Sequence, residues 1–156
     1  MIIKKTSSFL LFIFSVFSLQ AETIKTKVKS DAMNKDIPCV IITPTNYNPS
    51  ATYPVIYLLH GYGGNQDTWP NIKKDLPQTA TQDSIIFVCP NGENSWYWDS
   101  PLNKESQFET FISKELISYI DKNFSTRNDK TGRAITGLSM GGHGALWLAI
   151  RHQDIF

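Results

Sequence analysis

The sequence has few of the residues from which metal sites and disulfide frameworks are built. It contains two cysteines, Cys39 and Cys89, and three histidines among its 156 residues. No cluster of cysteine, histidine and carboxylate residues has the spacing of metal ligands. We therefore expect neither a metal ion nor a cofactor.

An excess of charge of one sign is also absent. The 15 Lys and Arg residues nearly balance the 14 Asp and Glu residues, so the formal net charge is +1. A nearly neutral chain offers no broad basic surface to a polyanion. Nucleic acid is therefore not expected among its partners, and the composition leaves the oligomeric state open.

Long apolar segments are missing after the first 21 residues. At the start, Lys4 and Lys5 precede an apolar run at 9–19, and a small residue follows at Ala21. This order is typical of a secretory signal peptide. No later stretch approaches the roughly 20 apolar residues that cross a bilayer, and no cysteine follows the run to carry a lipid. We expect residues 1–21 to be removed and the mature chain, 22–156, to be secreted or periplasmic without membrane association.

The mature chain alternates strand-like and helix-like patterns. Residues 23–29 and 37–43 predict an antiparallel pair, and apolar runs at 55–59, 84–89 and 134–136 predict buried strands. Helical spacing predicts helices at 68–77, with Asp67 as its cap, at 105–124, and after residue 139 with Leu146, Ala149 and Ile150 on one side. Strands that alternate with helices predict an α/β fold with a largely parallel sheet covered on both faces.

The segment from Gly137 to Gly141 carries the chemistry. It reads G-x-S-x-G around Ser139, after a short strand and before a helix. In this context the motif is a nucleophile elbow, a turn so sharp that the serine hydroxyl stands out at the carboxyl end of the strand. The free N–H groups of the following helix can stabilise a developing oxyanion. A dinucleotide-binding turn needs glycine where Ser139 stands, so the motif predicts a serine acyl hydrolase.

Three separated segments resemble one known family. Residues 53–64, 94–101 and 132–145 are, in order, similar to those of the esterase D family of α/β-hydrolases. Its members include S-formylglutathione hydrolase, feruloyl and acetyl xylan esterases, and mycolyltransferases. The resemblance, which runs from about residue 37 to 156, implies a three-layer α/β-hydrolase sandwich. On this reading, 22–156 is the N-terminal part of a single domain that is truncated after the elbow helix.

The resemblance also assigns residues to roles. It implies that Ser139 is the nucleophile and that the backbone N–H groups of Tyr62 and Met140 form the oxyanion hole. It implies a small or carbohydrate-linked acyl ester as substrate. Trp96 and Trp98 are candidate substrate-binding residues that would stack on a sugar ring or a feruloyl group; the alternative is that the aromatic residues of this loop pack it onto the sheet.

The catalytic acid and histidine of the family follow the nucleophile in sequence, and this chain has no residues after Phe156. His143 and His152 are too close to the elbow in sequence to serve as the base, and His60 is expected to orient its own loop by hydrogen bonding. We therefore expect the acid and the histidine to lie outside this sequence. Two alternatives remain open, an acyltransferase of the same fold and a non-catalytic remnant that acts as a binding module.

The two cysteines allow a further expectation. In the sheet that the resemblance implies, Cys39 and Cys89 belong to neighbouring strands, and an exported protein meets an oxidising compartment. A disulfide between them is one possibility. Two buried thiols packed as small apolar side chains are the other.

Overall fold

A five-stranded mixed sheet forms the centre of the computed structural model, which describes residues 22–156. The predicted signal peptide, 1–21, lies outside the described residues. The strand order is β1-β2-β4-β3-β5. The strands are β1 (Glu22–Ser30), β2 (Lys35–Thr43), β3 (Val55–Leu59), β4 (Ile86–Pro90) and β5 (Arg133–Gly137).

The sheet joins an antiparallel hairpin to three parallel strands. β1 and β2 pair in the antiparallel sense with Val28 opposite Ile37, which confirms the predicted pair. β2 pairs antiparallel with β4, whereas β3 runs parallel to both β4 and β5. Because β3 and β5 are neighbours and parallel, their carboxyl ends, Leu59 and Gly137, lie side by side. The loops that follow these two strands therefore meet at one edge of the sheet.

The helices flank the sheet. They are α1 (Thr68–Ile72), α2 (Leu76–Asp83), α3, which runs from Phe108 to Asn123, and α4 (Met140–Arg151), with a 3₁₀ turn at Lys130–Gly132. Helix α3 is one continuous rod with a π-helical middle segment, Phe111–Leu116. Among residues 22–156, no helix combines the length and apolar character of a membrane span.

The expectation of one helix over 68–77 is wrong, because two short helices occupy this region. Pro77 lies in the first turn of α2, where proline fits because its missing N–H would have no partner. Asp67 precedes α1, but its side chain makes no capping hydrogen bond. Its carboxylate instead accepts a hydrogen bond from Gln66 and pairs with Lys25.

The sheet separates two apolar cores. The larger core lies between one face of the sheet and helices α3 and α4, and includes Tyr57, Phe111 and Leu148. The smaller core lies on the other face, beneath α2. Cys39 belongs to the larger core and Cys89 to the smaller one, and both thiols are free and buried. The disulfide is therefore not formed, because the two side chains point to opposite faces of the sheet.

Helix α4 is present as predicted, but its buried side is a different one. Its buried positions include Gly144, Ala145 and Leu148, whereas Leu146 and Ile150 are each 67% exposed. Small residues allow the helix to lie close to the sheet, so the glycine-rich side turns inward. In the part of the chain that the structure describes, β5 pairs only with β3 and its other edge is open.

Candidate active site

Leu138 and Ser139 connect a strand to a helix. β5 ends at Gly137 and α4 begins at Met140. The backbone of Ser139 has φ 50° and ψ −114°, a conformation that costs a residue with a side chain about 1–3 kcal/mol and is concentrated at functional sites. The residue is exposed. The sequence motif has therefore folded into a strained strand-turn-helix, which is the backbone geometry typical of a nucleophile elbow.

The glycines around Ser139 permit very close packing. A Cβ atom on Gly141 would lie 2.3 Å from the carbonyl oxygen of Leu59, and one on Gly137 would lie 2.4 Å from the carbonyl carbon of Gly141. Neither position can hold a side chain without moving backbone. These contacts press the first turn of α4 against the end of β3 and so fix where Ser139 stands.

The loop after β3 lies directly against the elbow. A Cβ atom built on Gly61 would be 3.3 Å from the carbonyl oxygen of Leu138 and 3.6 Å from Cβ of Ser139. Within residues 22–156, the N–H groups of Tyr62 and Met140 donate no hydrogen bond to another protein group. The side chain of Tyr62 is 67% exposed. Within the described residues, two amides without a protein partner therefore lie near the serine, one in the next residue, Met140, and one in the adjacent loop, at Tyr62.

His60 is a buried residue that holds this loop in place. Its Nε2 accepts a hydrogen bond from the N–H of Gly92 at 2.8 Å, so the proton of a neutral ring is on Nδ1. Nδ1 in turn lies 2.7 Å from the carbonyl oxygen of Gly61, to which it donates. Both ring nitrogens are occupied, and His60 orients its own loop, as expected from the sequence.

The other two histidines are also engaged away from the hydroxyl. Nδ1 of His143 lies 3.3 Å from the carbonyl oxygen of Trp96, and Nε2 of His152 lies 2.9 Å from Oε1 of Glu109. Within the described residues, Ser139 Oγ has no hydrogen-bond partner. No histidine of the described residues is therefore placed as its general base.

The aromatic loop between β4 and α3 divides into two parts. Tyr97 is fully buried, whereas Trp96 and Trp98 are 43% and 48% exposed. The two tryptophans lie beside His143 and Trp147 of α4, with ring centroids 5.4 and 6.4 Å apart respectively. Of the two readings offered by the sequence, packing applies to Tyr97, while Trp96 and Trp98 remain available to a ligand.

Sequence reasoning missed two residues of this region. Asn94 accepts a hydrogen bond from the N–H of Gly63 through its side-chain oxygen at 2.8 Å. Trp147 contacts both the aromatic loop and Glu109. Both contacts join positions more than 30 residues apart, so no local spacing could have revealed them. Asp99 accepts hydrogen bonds from the N–H and hydroxyl of Thr110 at the start of α3.

The site contains no obvious place for a metal ion. Over residues 22–156, no three His, Cys, Asp or Glu side chains come together as ligands. The chemistry available from these residues is that of a hydroxyl, two backbone amides and a helix N-terminus.

Comparison with known proteins places the chain in a family. A family model described as "Putative esterase" matches residues 30–156. The chain belongs to this esterase family. The Esterase Rv1288 of Mycobacterium tuberculosis is 34% identical over 120 residues, which are 74% of this chain and 26% of that protein. The diacylglycerol acyltransferase/mycolyltransferase Ag85A of Mycobacterium leprae is 34% identical over 140 residues, 83% of this chain and 40% of that protein.

A solved structure with the same fold supports the family assignment. A ferulic acid esterase, 30% identical, superposes with a TM-score of 0.77 over 88% of this chain and 58% of its own. The described residues therefore have the α/β-hydrolase fold that the sequence predicted. The chain spans about a quarter to two fifths of the length of these two curated relatives.

Proposed function

We propose that the protein containing this chain is a serine esterase that cleaves carboxylic esters through an acyl-enzyme. The observation that carries the proposal is the position of Ser139, strained and exposed at the N-terminus of α4 and packed against the loop that carries Tyr62. This is the arrangement that acyl transfer needs, because charge develops on the ester carbonyl oxygen when a nucleophile attacks. Membership of the esterase family supports it.

The proposed steps use the hydroxyl of Ser139 and the two amides near it. Ser139 Oγ attacks the ester carbonyl, and the N–H groups of Tyr62 and Met140 bind the oxyanion of the tetrahedral intermediate. Collapse of the intermediate expels the alcohol and leaves the acyl group on Ser139. Water then attacks the acyl-enzyme through the same oxyanion hole and releases the acid.

The mechanism needs a general base to take the serine proton and to return it to the leaving alcohol. The histidines at 60, 143 and 152 have other partners. In α/β-hydrolases the acid and the histidine follow the nucleophile in chain order. We therefore propose that the acid and the histidine come from outside the described residues, since this chain spans only about a quarter to two fifths of these relatives.

The substrate proposed is a small or carbohydrate-linked acyl ester, bound in part by Trp96 and Trp98. Their exposed faces can stack on the flat apolar side of a sugar or on an aromatic acyl group. A similar protein of known structure is named a ferulic acid esterase, which supports an aromatic acyl group as one candidate.

We also propose that the protein acts outside the cytoplasm, because its first 21 residues have the pattern of a signal peptide. Mass spectrometry of the secreted or periplasmic fraction should find an N-terminus at or near Glu22. Intact Met1 on protein recovered only from the cytoplasm would contradict this.

An acyltransferase is the second candidate, because Ag85A carries that name. The two activities share the acyl-enzyme and differ in the acceptor. Addition of a sugar alcohol to the hydrolysis reaction separates them: a transferase forms the new ester at the expense of the free acid, whereas a hydrolase releases acid at an unchanged rate.

The central experiment uses the full-length protein. Ser139→Ala should abolish turnover of p-nitrophenyl acetate without changing the circular dichroism spectrum, and a fluorophosphonate should label Ser139 of the unmodified protein. Lys104→Ala, an exposed substitution in the loop before α3, is the matched control and should behave like the unmodified protein. Undiminished turnover by Ser139→Ala would remove the proposal. A folded full-length protein that neither turns over esters nor reacts at Ser139 would favour the binding module.

A further inference from the structure

The oxyanion loop, residues 60–64, is fastened to a second loop that contributes no group to the elbow. This second loop, residues 91–98, follows β4. Three hydrogen bonds join the two loops: Gly92 N–H to His60 Nε2 at 2.8 Å, Tyr97 hydroxyl to the His60 carbonyl at 3.1 Å, and Gly63 N–H to Asn94 Oδ1 at 2.8 Å. Two of them hold the buried residue His60, and the third holds the exposed tip beside Tyr62.

The hydrogen bonds fix the direction of the Tyr62 amide. In a trans peptide the C=O and the N–H point in opposite directions. The direction of the Gly61 carbonyl therefore fixes the direction of the Tyr62 N–H. That carbonyl accepts from His60 Nδ1 at 2.7 Å and from the N–H of Gly64 at 3.0 Å. The Tyr62 N–H is thereby turned away from His60. The next peptide along the chain carries the Gly63 N–H, and within residues 22–156 its hydrogen bond is to Asn94 alone.

The loop that carries Asn94 is held in an unusual conformation. Glu93, Trp96 and Tyr97 have φ values of 49°, 58° and 60°, in the left-handed region that residues with a Cβ seldom adopt. The conformation is kept by Tyr97, which is fully buried, and by the Ser95 hydroxyl, which donates to the Gly92 carbonyl at 2.6 Å and accepts from the Tyr97 N–H at 3.1 Å. Strain of this kind persists only where the surroundings impose it, and it concentrates at functional sites.

We propose that Asn94 is a positioning residue for the oxyanion hole. Its side-chain oxygen fixes the Gly63 peptide, which together with the His60 contact limits the two backbone rotations of Tyr62. The Tyr62 N–H is then held ready before the transition state forms, and no rotation is needed as the charge develops. This inference rests on the proposed function, because it assigns a role to Asn94 only if acyl transfer takes place at Ser139.

The kinetic test compares Asn94→Ala with Glu93→Gln in the full-length protein. Glu93 is an exposed neighbour in the same loop whose side chain contacts Lys35 and not the oxyanion loop, so its variant should keep the original rates. Removal of a whole oxyanion donor costs about 10²–10³ in kcat. Asn94→Ala keeps the Tyr62 N–H but loosens its alignment, so kcat should fall by less, about tenfold, with KM nearly unchanged. Affinity for phenylboronic acid, which mimics the tetrahedral intermediate, should fall by a similar factor.

A second measurement does not depend on activity. Amide exchange of the segment around Gly63 should be faster in Asn94→Ala than in the unmodified protein, and Asn94→Asp, which keeps an acceptor oxygen, should restore the protection. Equal exchange in all three proteins would overturn the inference. So would a drop in activity of Asn94→Ala that is matched by an equal loss of titratable active sites, since the variant would then have lost folded enzyme and not alignment.

The inference and the proposed function fail in different ways. If Ser139→Ala keeps full turnover, the proposed function is wrong and the role of Asn94 falls with it. If Ser139→Ala is inactive while Asn94→Ala matches Glu93→Gln in kcat and in phenylboronic acid affinity, the esterase stands and only the positioning role of Asn94 is overturned.

Discussion

Nε2 of His152 lies 2.9 Å from Oε1 of Glu109, and this contact joins the end of α4 to the start of α3. The same carboxylate accepts hydrogen bonds from Trp147 Nε1 at 2.8 Å and Arg151 Nε at 2.7 Å. Glu109 itself is buried, with 7% of its surface exposed. Three donors, two from α4 and one from the residue that follows it, therefore converge on a single acid of α3, so the C-terminal end of α4 is held as well as its first turn.

This cluster makes stability depend on pH. Burial opposes ionisation of Glu109, but the hydrogen bonds from Arg151, Trp147 and His152 outweigh it and hold the pKa of the carboxyl below its ordinary value. Because folding lowers the pKa of this carboxyl, its ionised form stabilises the folded protein at every pH above the ordinary pKa of a glutamate. This stabilisation is lost as the pH falls below that ordinary pKa. Glu109→Ala should lower the free energy of unfolding by about 2 kcal/mol at neutral pH, because the partly buried donors of Trp147 and His152 lose their acceptor.

Urea denaturation at a series of pH values measures the effect. The difference in free energy of unfolding between Glu109→Ala and the unmodified protein should shrink as the pH falls below the ordinary pKa of a glutamate. Asp75→Ala is the control, since Asp75 pairs with Lys73 at the surface and exposed pairs contribute little. A difference for Glu109→Ala that stays constant from neutral to acid pH would contradict the account.

The two cysteines should remain unreactive thiols. Burial raises the pKa of Cys89 to about 12, with a smaller contribution from the charge of Asp67, and burial likewise raises the pKa of Cys39. Because the thiolate is the reactive form, iodoacetamide should modify neither residue in the folded protein and both after denaturation. A peptide that links Cys39 to Cys89 in a non-reducing digest would contradict the placement of the two thiols on opposite faces.

Two neighbouring glycines of α4 should respond differently to alanine. A Cβ atom on Gly141 would lie 2.3 Å from the Leu59 carbonyl oxygen, whereas one on Gly142 meets nothing closer than 3.4 Å. Gly141→Ala should therefore destabilise the fold strongly, by more than about 2 kcal/mol, because backbone must move. Gly142→Ala should be neutral or stabilising, since alanine favours a helix over glycine. Thermal unfolding measures both variants, and equal melting temperatures would contradict the close approach of helix and strand.

Local patterns were sufficient to predict the elbow. The turn at Ser139 depends on residues within two positions of it, and a strained turn before a helix needs glycines wherever they occur. The helix that became α3 was also predicted, because its apolar side chains repeat with the helical period. Its start is displaced to Phe108, since Asp99 binds Thr110 and fixes the first turn.

Contacts between distant segments could not be predicted in the same way. A proline can end one helix or begin another. Here Leu76 packs into the smaller core and begins a new helix, with Pro77 in its first turn. In α4, Leu146 and Ile150 have the right spacing for a buried stripe, yet the close approach at Gly141 and Gly144 turned that stripe outward. The bond between Asn94 and Gly63 depends on the sheet order, which no single segment contains.

The exposed stripe on α4 should promote self-association of residues 22–156 when they are produced alone. Leu146 and Ile150 are each 67% exposed, and Leu138 is 39% exposed beside the open edge of β5. Apolar patches and open strand edges both favour aggregation. Ile150→Lys should raise the monomer fraction in sedimentation velocity, whereas Lys122→Ala, on the exposed side of α3, should not. A polypeptide 22–156 that stays monomeric at high concentration would contradict this expectation.

The same polypeptide should hydrolyse esters no faster than its Ser139→Ala variant. A serine hydroxyl is a weak nucleophile unless a base removes its proton, and His60, His143 and His152 are bound to other groups. Each oxyanion donor contributes about 10²–10³, and enzymes need roughly a million-fold or more over the uncatalysed reaction. Hydrolysis of p-nitrophenyl acetate by the soluble monomer, made with Ile150→Lys, is the measurement. Enzyme-like turnover that disappears with Ser139→Ala would mean that one of the three histidines moves to the hydroxyl. His143→Ala would then be the first variant to examine, since its ring is the exposed one of the three.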